Sequence, residues 1–240
     1  MTAPLLETAA LNKSFGGVHA VRDVDFSLAE GELRCLIGPN GAGKSTFFKM
    51  LTGQIAPTSG SIAFRGRRID DLPPHAIARL GIGIKTQVPN VFDRLSVREN
   101  LWLGASRRAR GRTAVAAVDR MLERLRLDSA AERQVGQLSH GQRQWVELGI
   151  VLLGDPTLLL LDEPAAGMTQ DETARTAELI REINRTHALV VVEHDMQFVR
   201  SIARTVTVFN QGAVMVEAGV DEIMRDPRVR DIYLGKQAAA

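Results

Sequence analysis

The sequence predicts an α/β protein with a mostly parallel core sheet, an antiparallel β-subdomain near the N-terminus and a helical subdomain inserted between the halves of the core. Three observations lead there. A complete glycine-rich phosphate-loop pattern, Gly38-Pro39-Asn40-Gly41-Ala42-Gly43-Lys44-Ser45-Thr46, lies between a strand-like and a helix-like run. Two wholly apolar runs, Leu158-Leu159-Leu160-Leu161 and Ala188-Leu189-Val190-Val191-Val192, end in Asp162-Glu163-Pro164 and Glu193-His194-Asp195. Apolar runs of that kind suit strands buried on both faces of a parallel sheet. Between the phosphate loop and the first of them, residues 96–127 show helical periodicity alone, which breaks the β/α alternation.

Taken in order, residues 5–28 read as strands turned at Gly16-Gly17, and 32–37 as a buried strand leading to the phosphate loop. Residues 44–51 read as a helix stopped near Gly53. Pro57-Thr58-Ser59-Gly60 is a turn before a strand at 61–64, and Arg65, Arg67 and Arg68 around Gly66 read as a solvated loop. Pro73-Pro74 opens a short helix to Leu80, and 81–87 is a strand ending on Gln87. Residues 96–108 and 113–127 are helical, the second with Val115, Val118, Met121, Leu122 and Leu125 on one face. Arg107, Arg108, Arg110 and Arg112 make a basic connector between them, read as a solvated loop before an anionic docking patch.

Ser139, followed three residues later by Gln142, is a capping box that starts a helix running to about Gly154, where Asp155-Pro156 ends it. An amphipathic helix spans 171–184, with Ala174, Ala177, Ile180 and Ile183 along one side. Met196, Val199 and Ile202 mark a short helix. Residues 205–209 and 213–217 form a hairpin around Gln211-Gly212. The stretch 221–234 is helical, and the tail from Gln237 is expected to fray. The whole forms one domain: 1–87 and 156–240 are the core with its β-subdomain, and 88–155 the helical insert.

The residue types of the loop suit phosphate. Successive backbone N–H groups must wrap anionic oxygens, so glycines sit where the chain turns sharply or approaches closely. Lys44 supplies a compact positive charge, and the Ser45 hydroxyl suits Mg²⁺. Adjacent acids at Asp162 and Glu163 fall at the end of a strand, where ligands bind in open α/β sheets. Such a pair is costly to bury without a cation or substrate. His194, leaving another buried strand, shares that sheet end or is a satisfied structural histidine. Phe15 before Gly-Gly is either core or a ring offering its face to a base.

Composition sets bounds. With 45% hydrophobic and 24% charged residues the chain is ordinary globular protein, and its net charge of +2 gives little reason to expect a nucleic-acid partner. A single cysteine, Cys35, excludes an internal disulfide framework, and its apolar strand makes it inert. No run approaches the roughly 18 apolar residues of a spanning helix, and Met1-Thr2-Ala3-Pro4 begins no signal peptide.

The ordered set of phosphate loop, Gln87, Leu138-Ser139-His140-Gly141-Gln142, the acidic strand end and His194 resembles the ATP-binding cassette (ABC) ATPases over nearly the whole chain. The pentapeptide at 138–142 is the most diagnostic member. The resemblance implies that Phe15 stacks on adenine and that Gly38, Pro39, Asn40, Gly41, Ala42, Gly43, Lys44, Ser45 and Thr46 cradle the phosphates of ATP. It implies Mg²⁺ held by Ser45 and Gln87, with Asp162 acting through water. Glu163 looks like the general base and His194 like the γ-phosphate switch. Ser139, His140, Gly141 and Gln142 form the signature, with Ser139 and Gly141 facing the γ-phosphate bound by a second subunit.

The chain departs from the family pattern in two places. His140 stands where the family usually has glycine, and Thr169 replaces an acid of the usual Ser-Ala-Leu-Asp. Pro164-Ala165-Ala166-Gly167-Met168, Glu193-His194-Asp195-Met196 and the ending from Asp226-Pro227 to Tyr233-Leu234-Gly235 look like the importer branch for branched-chain amino acids and urea. Gly31-Glu32-Leu33-Arg34 and Ser45-Thr46-Phe47-Phe48-Lys49 resemble the urea-type subunit most closely. The implied setting is the cytoplasmic face of the membrane. The implied partners are transmembrane permeases, a second cassette (a paralogue or itself) and, indirectly, an external solute-binding protein, with no nucleic acid. Two other readings compete. A soluble cassette acting on nucleic acid or the ribosome would use the arginine stretches but normally carries two cassettes or a long coiled-coil insertion. A nucleotide-gated scaffold with little turnover is disfavoured by Glu163 and His194.

Overall fold

The computed structural model describes residues 3–234; the tail from Gln237 lies outside them. β1 (Leu6–Phe15) and β2 (Val18–Leu28) form a hairpin turned at Gly16-Gly17, and β3 (Leu33–Ile37) follows. The phosphate loop leads into α1 (Lys44–Leu51), and β4 (Ser59–Phe64), β5 (Arg67–Arg68), α2 (Pro74–Leu80) and β6 (Ile82–Lys85) complete the first half. The helical insert holds α3 (Val97–Ala105), α4 (Gly111–Leu125) and α5 (His140–Leu152). The core resumes with β7 (Leu158–Asp162), α6 (Gln170–Ile183), β8 (Ala188–Val192) and α7 (Met196–Ile202). It ends with the hairpin β9 (Thr205–Asn210) and β10 (Ala213–Gly219), then α8 (Val220–Arg225) and α9 (Pro227–Leu234).

Four strands form an antiparallel sheet in the order β2-β1-β4-β5, and six form the core sheet in the order β10-β9-β3-β8-β7-β6. Within the core sheet only β10 runs antiparallel to its neighbour. The apolar runs are explained by double burial. Leu158 and Leu160 of β7 join Val190 and Val192 of β8 in a core shared with α1 and the antiparallel sheet. Leu159, Leu161, Leu189 and Val191 point the other way, into a core shared with α3 to α8. Register then sets the site, because Leu36 pairs Val192, Asp162 pairs Val192 and Leu161 pairs Lys85. The residues that follow these ends, Gly38, Glu193-His194, Glu163 and Gln87, therefore leave the sheet along one edge.

Three expectations need correction. Val115 is 49% exposed, and the stripe buried by α4 runs through Ala114 instead, because the helix packs on its neighbours along Ala114, Val118, Met121, Leu122 and Leu125. Ala174 is exposed, and the inner face of α6 is Thr176, Ala177, Leu179, Ile180 and Ile183. The C-terminal stretch is two helices rather than one. Asp226-Pro227 breaks it, because proline has no N–H for the ladder and suits the start of a new helix.

Phe47, on the first turn of α1, has no exposed surface and lies 5.5 Å from the Phe26 ring and 5.3 Å from Phe209. It thus fixes the phosphate-loop helix against both sheets. Phe47→Ala is expected to cost about 3–5 kcal/mol, read as a lower midpoint in urea unfolding of the purified chain.

Candidate active site

The phosphate loop is wedged between elements distant in sequence. A Cβ on Gly38 would sit 2.2 Å from the carbonyl oxygen of Phe209, and one on Gly43 2.4 Å from that of Ala20. Gly43 also has φ +100°, a left-handed conformation that favours glycine. As the N-cap of α1 it offers no side-chain acceptor, so the first-turn N–H groups point into the loop uncapped. That is the arrangement an anion completes.

Lys44 is buried, and its Nζ donates to the carbonyls of Gly38 at 2.6 Å and Pro39 at 3.0 Å. Burial lowers its pKa, while Glu163 and Asp162 pull it back up. Ser45 is exposed at the mouth of the loop. The hairpin carrying Phe15 packs on the loop through Ala20. Phe15 is 49% exposed with Lys13 Nζ 5.1 Å from its ring centroid, so it is a presented aromatic face and not core.

The acids gather opposite the loop. Gln87 Nε2 donates to Glu163 Oε2 at 2.8 Å, and His194 Nδ1 stands 3.5 Å from Glu163 Oε1. Glu163 adopts φ +45°, costly for a residue with a side chain, and is held there by its N–H on Val192 and its carbonyl accepting from Ala166. Asp162 beside it has its pKa raised, first by burial and then by the charge of Glu163. The amide nitrogen of Gln87 is committed to Glu163, which leaves its carbonyl oxygen to face a cation. Ser45, Gln87 and Asp162 offer hard oxygen donors, and the negative charge of Asp162 is disfavoured by burial and by Glu163. This set fits Mg²⁺, which takes few protein ligands and completes its shell with water and phosphate oxygens.

Ser139 caps α5 as expected, accepting from Gln142 N at 3.2 Å while Gln142 Oε1 accepts from Ser139 N at 3.2 Å. His140 is exposed and its Nε2 lies 3.1 Å from Gln144 Nε2, on the side toward Gly167. Gln144 Nε2 also donates to the Gln87 carbonyl at 3.1 Å. An amide nitrogen accepts nothing, so His140 Nε2 is the acceptor and a neutral ring carries its proton on Nδ1.

Sequence reasoning missed a set of buried polar residues behind these. Glu147 of α5 accepts from Asn90 N at 3.1 Å and Thr86 Oγ1 at 3.4 Å, with its Oε2 3.9 Å from the Nζ of fully buried Lys85. Glu193, also buried, accepts from Ala165 N and His194 N, both at 3.2 Å, and so joins the loop after Glu163 to the loop of His194. Outside this buried set, the half-buried Glu172 accepts from the Ser139 hydroxyl at 2.6 Å. The available signals were a lysine closing an apolar strand and two polar residues, Gln144 and Glu147, at i and i+3 on the inner face of α5. A second capping box at Thr169-Gln170-Asp171-Glu172 was also there to be read.

The family profile described as ABC transporter matches residues 21–166. The high-affinity branched-chain amino acid transport ATP-binding protein LivG of Salmonella typhimurium is 37% identical over 254 residues, an alignment covering 98% of this chain and 100% of LivG. BraF of Pseudomonas aeruginosa, with the same description, is 35% identical over 254 residues, with 98% and 100% covered. The crystal structure of MJ1267, an ATP-binding cassette of an ABC transporter in its ADP conformation, superposes with a TM-score of 0.87 at 27% identity, covering 98% of this chain and 100% of that one.

A raised carboxyl pKa means that the contribution of Asp162 to stability is full below the ordinary aspartate range and lost as pH rises through the raised value. Asp162→Asn removes that loss. The variant is therefore expected to be more stable than the parent at neutral pH without nucleotide or metal, with the difference vanishing below about pH 4. Urea unfolding of both proteins across pH checks it, and a gap that does not depend on pH would refute it.

Proposed function

The chain belongs to the ABC transporter family of ATP-binding cassettes, and we propose that it is the ATP-hydrolysing subunit of an importer for branched-chain amino acids or a similarly small polar solute. The observation that carries the reading is the meeting of Gln87, Asp162, Glu163 and His194 at the sheet edge from which the phosphate loop leaves. The importer and its cargo class rest on full-length likeness to LivG and BraF. The likeness to urea-type subunits rests on residues 31–34 and 45–49 alone, so branched-chain amino acids are the preferred cargo.

In this reading 1–87 and 156–240 form the nucleotide-binding core and 88–155 the helical insert of one domain. Residues 38–46 wrap the phosphates of ATP with backbone N–H groups, and Lys44 turns from its loop carbonyls to the β- and γ-phosphates. Adenine stacks on Phe15. Ser45 and Gln87, with Asp162 acting through water, would hold Mg²⁺, which when bound would supply charge neutralisation at the phosphates. Glu163 takes a proton from the water that attacks the γ-phosphorus, and ADP and inorganic phosphate leave. His194 and Gln87 hold Glu163 in line, so most of the rate comes from positioning and charge, as in other phosphoryl transfers. Ser139 and Gly141 of a second cassette close the site from the far side.

Among the described residues no helix is long and apolar enough to cross a membrane, so attachment at the cytoplasmic face would go through permease subunits. Val88 and Phe92, 76% and 59% exposed just after Gln87, supply an apolar landing for such a partner. The arginine stretches do not favour nucleic acid: Arg108 is paired with Asp155 at 2.6 Å and Arg68 with Asp70 at 2.8 Å.

Glu163→Gln is expected to lower phosphate release roughly a hundredfold to ten-thousandfold while ATP binding persists and an ATP-loaded pair accumulates on gel filtration. Unchanged turnover would exclude Glu163 as the base. Lys44→Ala is expected to abolish tight ATP binding by calorimetry, and an affinity equal to the parent's would refute the loop's role.

A further inference from the structure

The first turn of α6 sends a carboxylate to the signature turn of its own chain. Glu172 Oε1 accepts from Ser139 Oγ at 2.6 Å, while Oε2 accepts from Thr169 N at 3.0 Å and Thr169 Oγ1 at 3.2 Å. The carboxylate lies over the start of α5, since a Cβ on Gly141 would fall 2.6 Å from Glu172 Oε1. A serine hydroxyl has one hydrogen. Ser139 gives it to Glu172 and accepts from Gln142 N with a lone pair, so nothing remains to donate to another anion.

We propose that Glu172 is a positioning residue of the cross-subunit ATP site: it holds the Ser139 hydroxyl in the lone cassette, must yield it to the γ-phosphate presented by a second cassette, and so sets the ATP concentration at which two cassettes pair. The proposal rests on reading Ser139 as the contact to the other subunit's phosphate. Carboxylate and phosphate compete for one hydrogen and, a few ångströms apart, repel. The hydrogen bond from Ser139 keeps the Glu172 carboxyl below the ordinary range, so the competitor is charged at neutral pH. Thr169 fits the arrangement, since as N-cap of α6 it anchors the other oxygen of Glu172 and aims the first at Ser139.

The test uses the assembled pair, two copies or one copy with its paralogue, in a Glu163→Gln background that does not turn over. ATP is titrated and pairing followed by sedimentation. Glu172→Gln keeps a capping-box side chain at this position, so the chain should still fold, its unfolding midpoint without nucleotide lowered only by the lost charge-assisted hydrogen bond. The ATP concentration for half-pairing should fall about tenfold, the scale of one released charge-assisted hydrogen bond. In the chain with Glu163 intact, the same change should lower KM for ATP more than it alters kcat; a structural role would lower stability and turnover together. Ser139→Ala separates the two ideas. If it leaves pairing unchanged, the cross-subunit reading fails. If it weakens pairing while Glu172→Gln leaves the threshold equal or higher, that reading stands and the role given to Glu172 is wrong.

Discussion

Charge crowded at one edge of a sheet buried on both faces is the constraint the rest of the molecule answers to. Asp162, Glu163 and Glu193 leave adjacent strands there, and Lys44 and Lys85 sit beneath them. Burial raises the pKa of Asp162 and Glu193, so each carboxylate is held against its preference for water. Lys85 and Glu147 lean the same way, the lysine lowered and the acid raised by burial, although their heads are 3.9 Å apart. Desolvation thus outweighs their mutual attraction, and the pair is poor evidence for stability. A site tuned to hold unhappy anions is one that a cation and a phosphate-binding lysine can relieve. That ties the cost of the fold to its chemistry.

Backbone acceptors and donors turn this cluster into a mechanism. Glu147 and Gln144 hold Thr86, Gln87 and Asn90 against α5, so the loop that carries Gln87 is fastened to the signature helix. Glu193 fastens the loop after Glu163 to that of His194. The hydrogen bond from Gln87 to Glu163 then joins two separately braced groups. That bond is the direct link between the loop fastened to α5 and Glu163. Few side chains are needed, because apart from the Thr86 hydroxyl each brace ends on a main-chain N–H or carbonyl that cannot rotate away.

Most of this frame was legible in the sequence, and the reasons differ by element. Doubly buried strands announce themselves as unbroken apolar runs, and the glycines at 38 and 43 mark where another chain segment passes too close for a Cβ. Capping chemistry fixed the start of α5 at Ser139 because its side chain answers a backbone donor locally. What failed was relational. Val115 and Val118 satisfy the same helical spacing, and only the packing of α4 against its neighbours decides that Ala114 lies inside. Glu147 meets Lys85, Thr86 and Asn90, and Glu193 meets Ala165, from far away in sequence, so their types hinted at buried polarity without saying what would answer it. Phe15 was undecidable for the same reason, since exposure is a property of neighbours.

Two helix starts face phosphate chemistry here, and they differ in a way that orders events. α1 begins at a glycine with no side-chain cap, so its N–H groups stay open to an anion held by the chain itself. α5 begins with the N–H groups of Ser139 and Gln142 already answered by each other's side chains, and with Glu172 laid across the serine hydroxyl. At the first site Lys44 must turn from the two loop carbonyls it holds, and at the second the charge-assisted hydrogen bond from Ser139 to Glu172 must break before another can form. On the proposed reading a nucleotide is first held by the loop of α1, and its γ-phosphate, delivered to a neighbouring subunit, then competes with Glu172 for the Ser139 hydroxyl. Loss of that phosphate on hydrolysis would return the hydroxyl to the carboxylate and remove the contact that holds the pair closed.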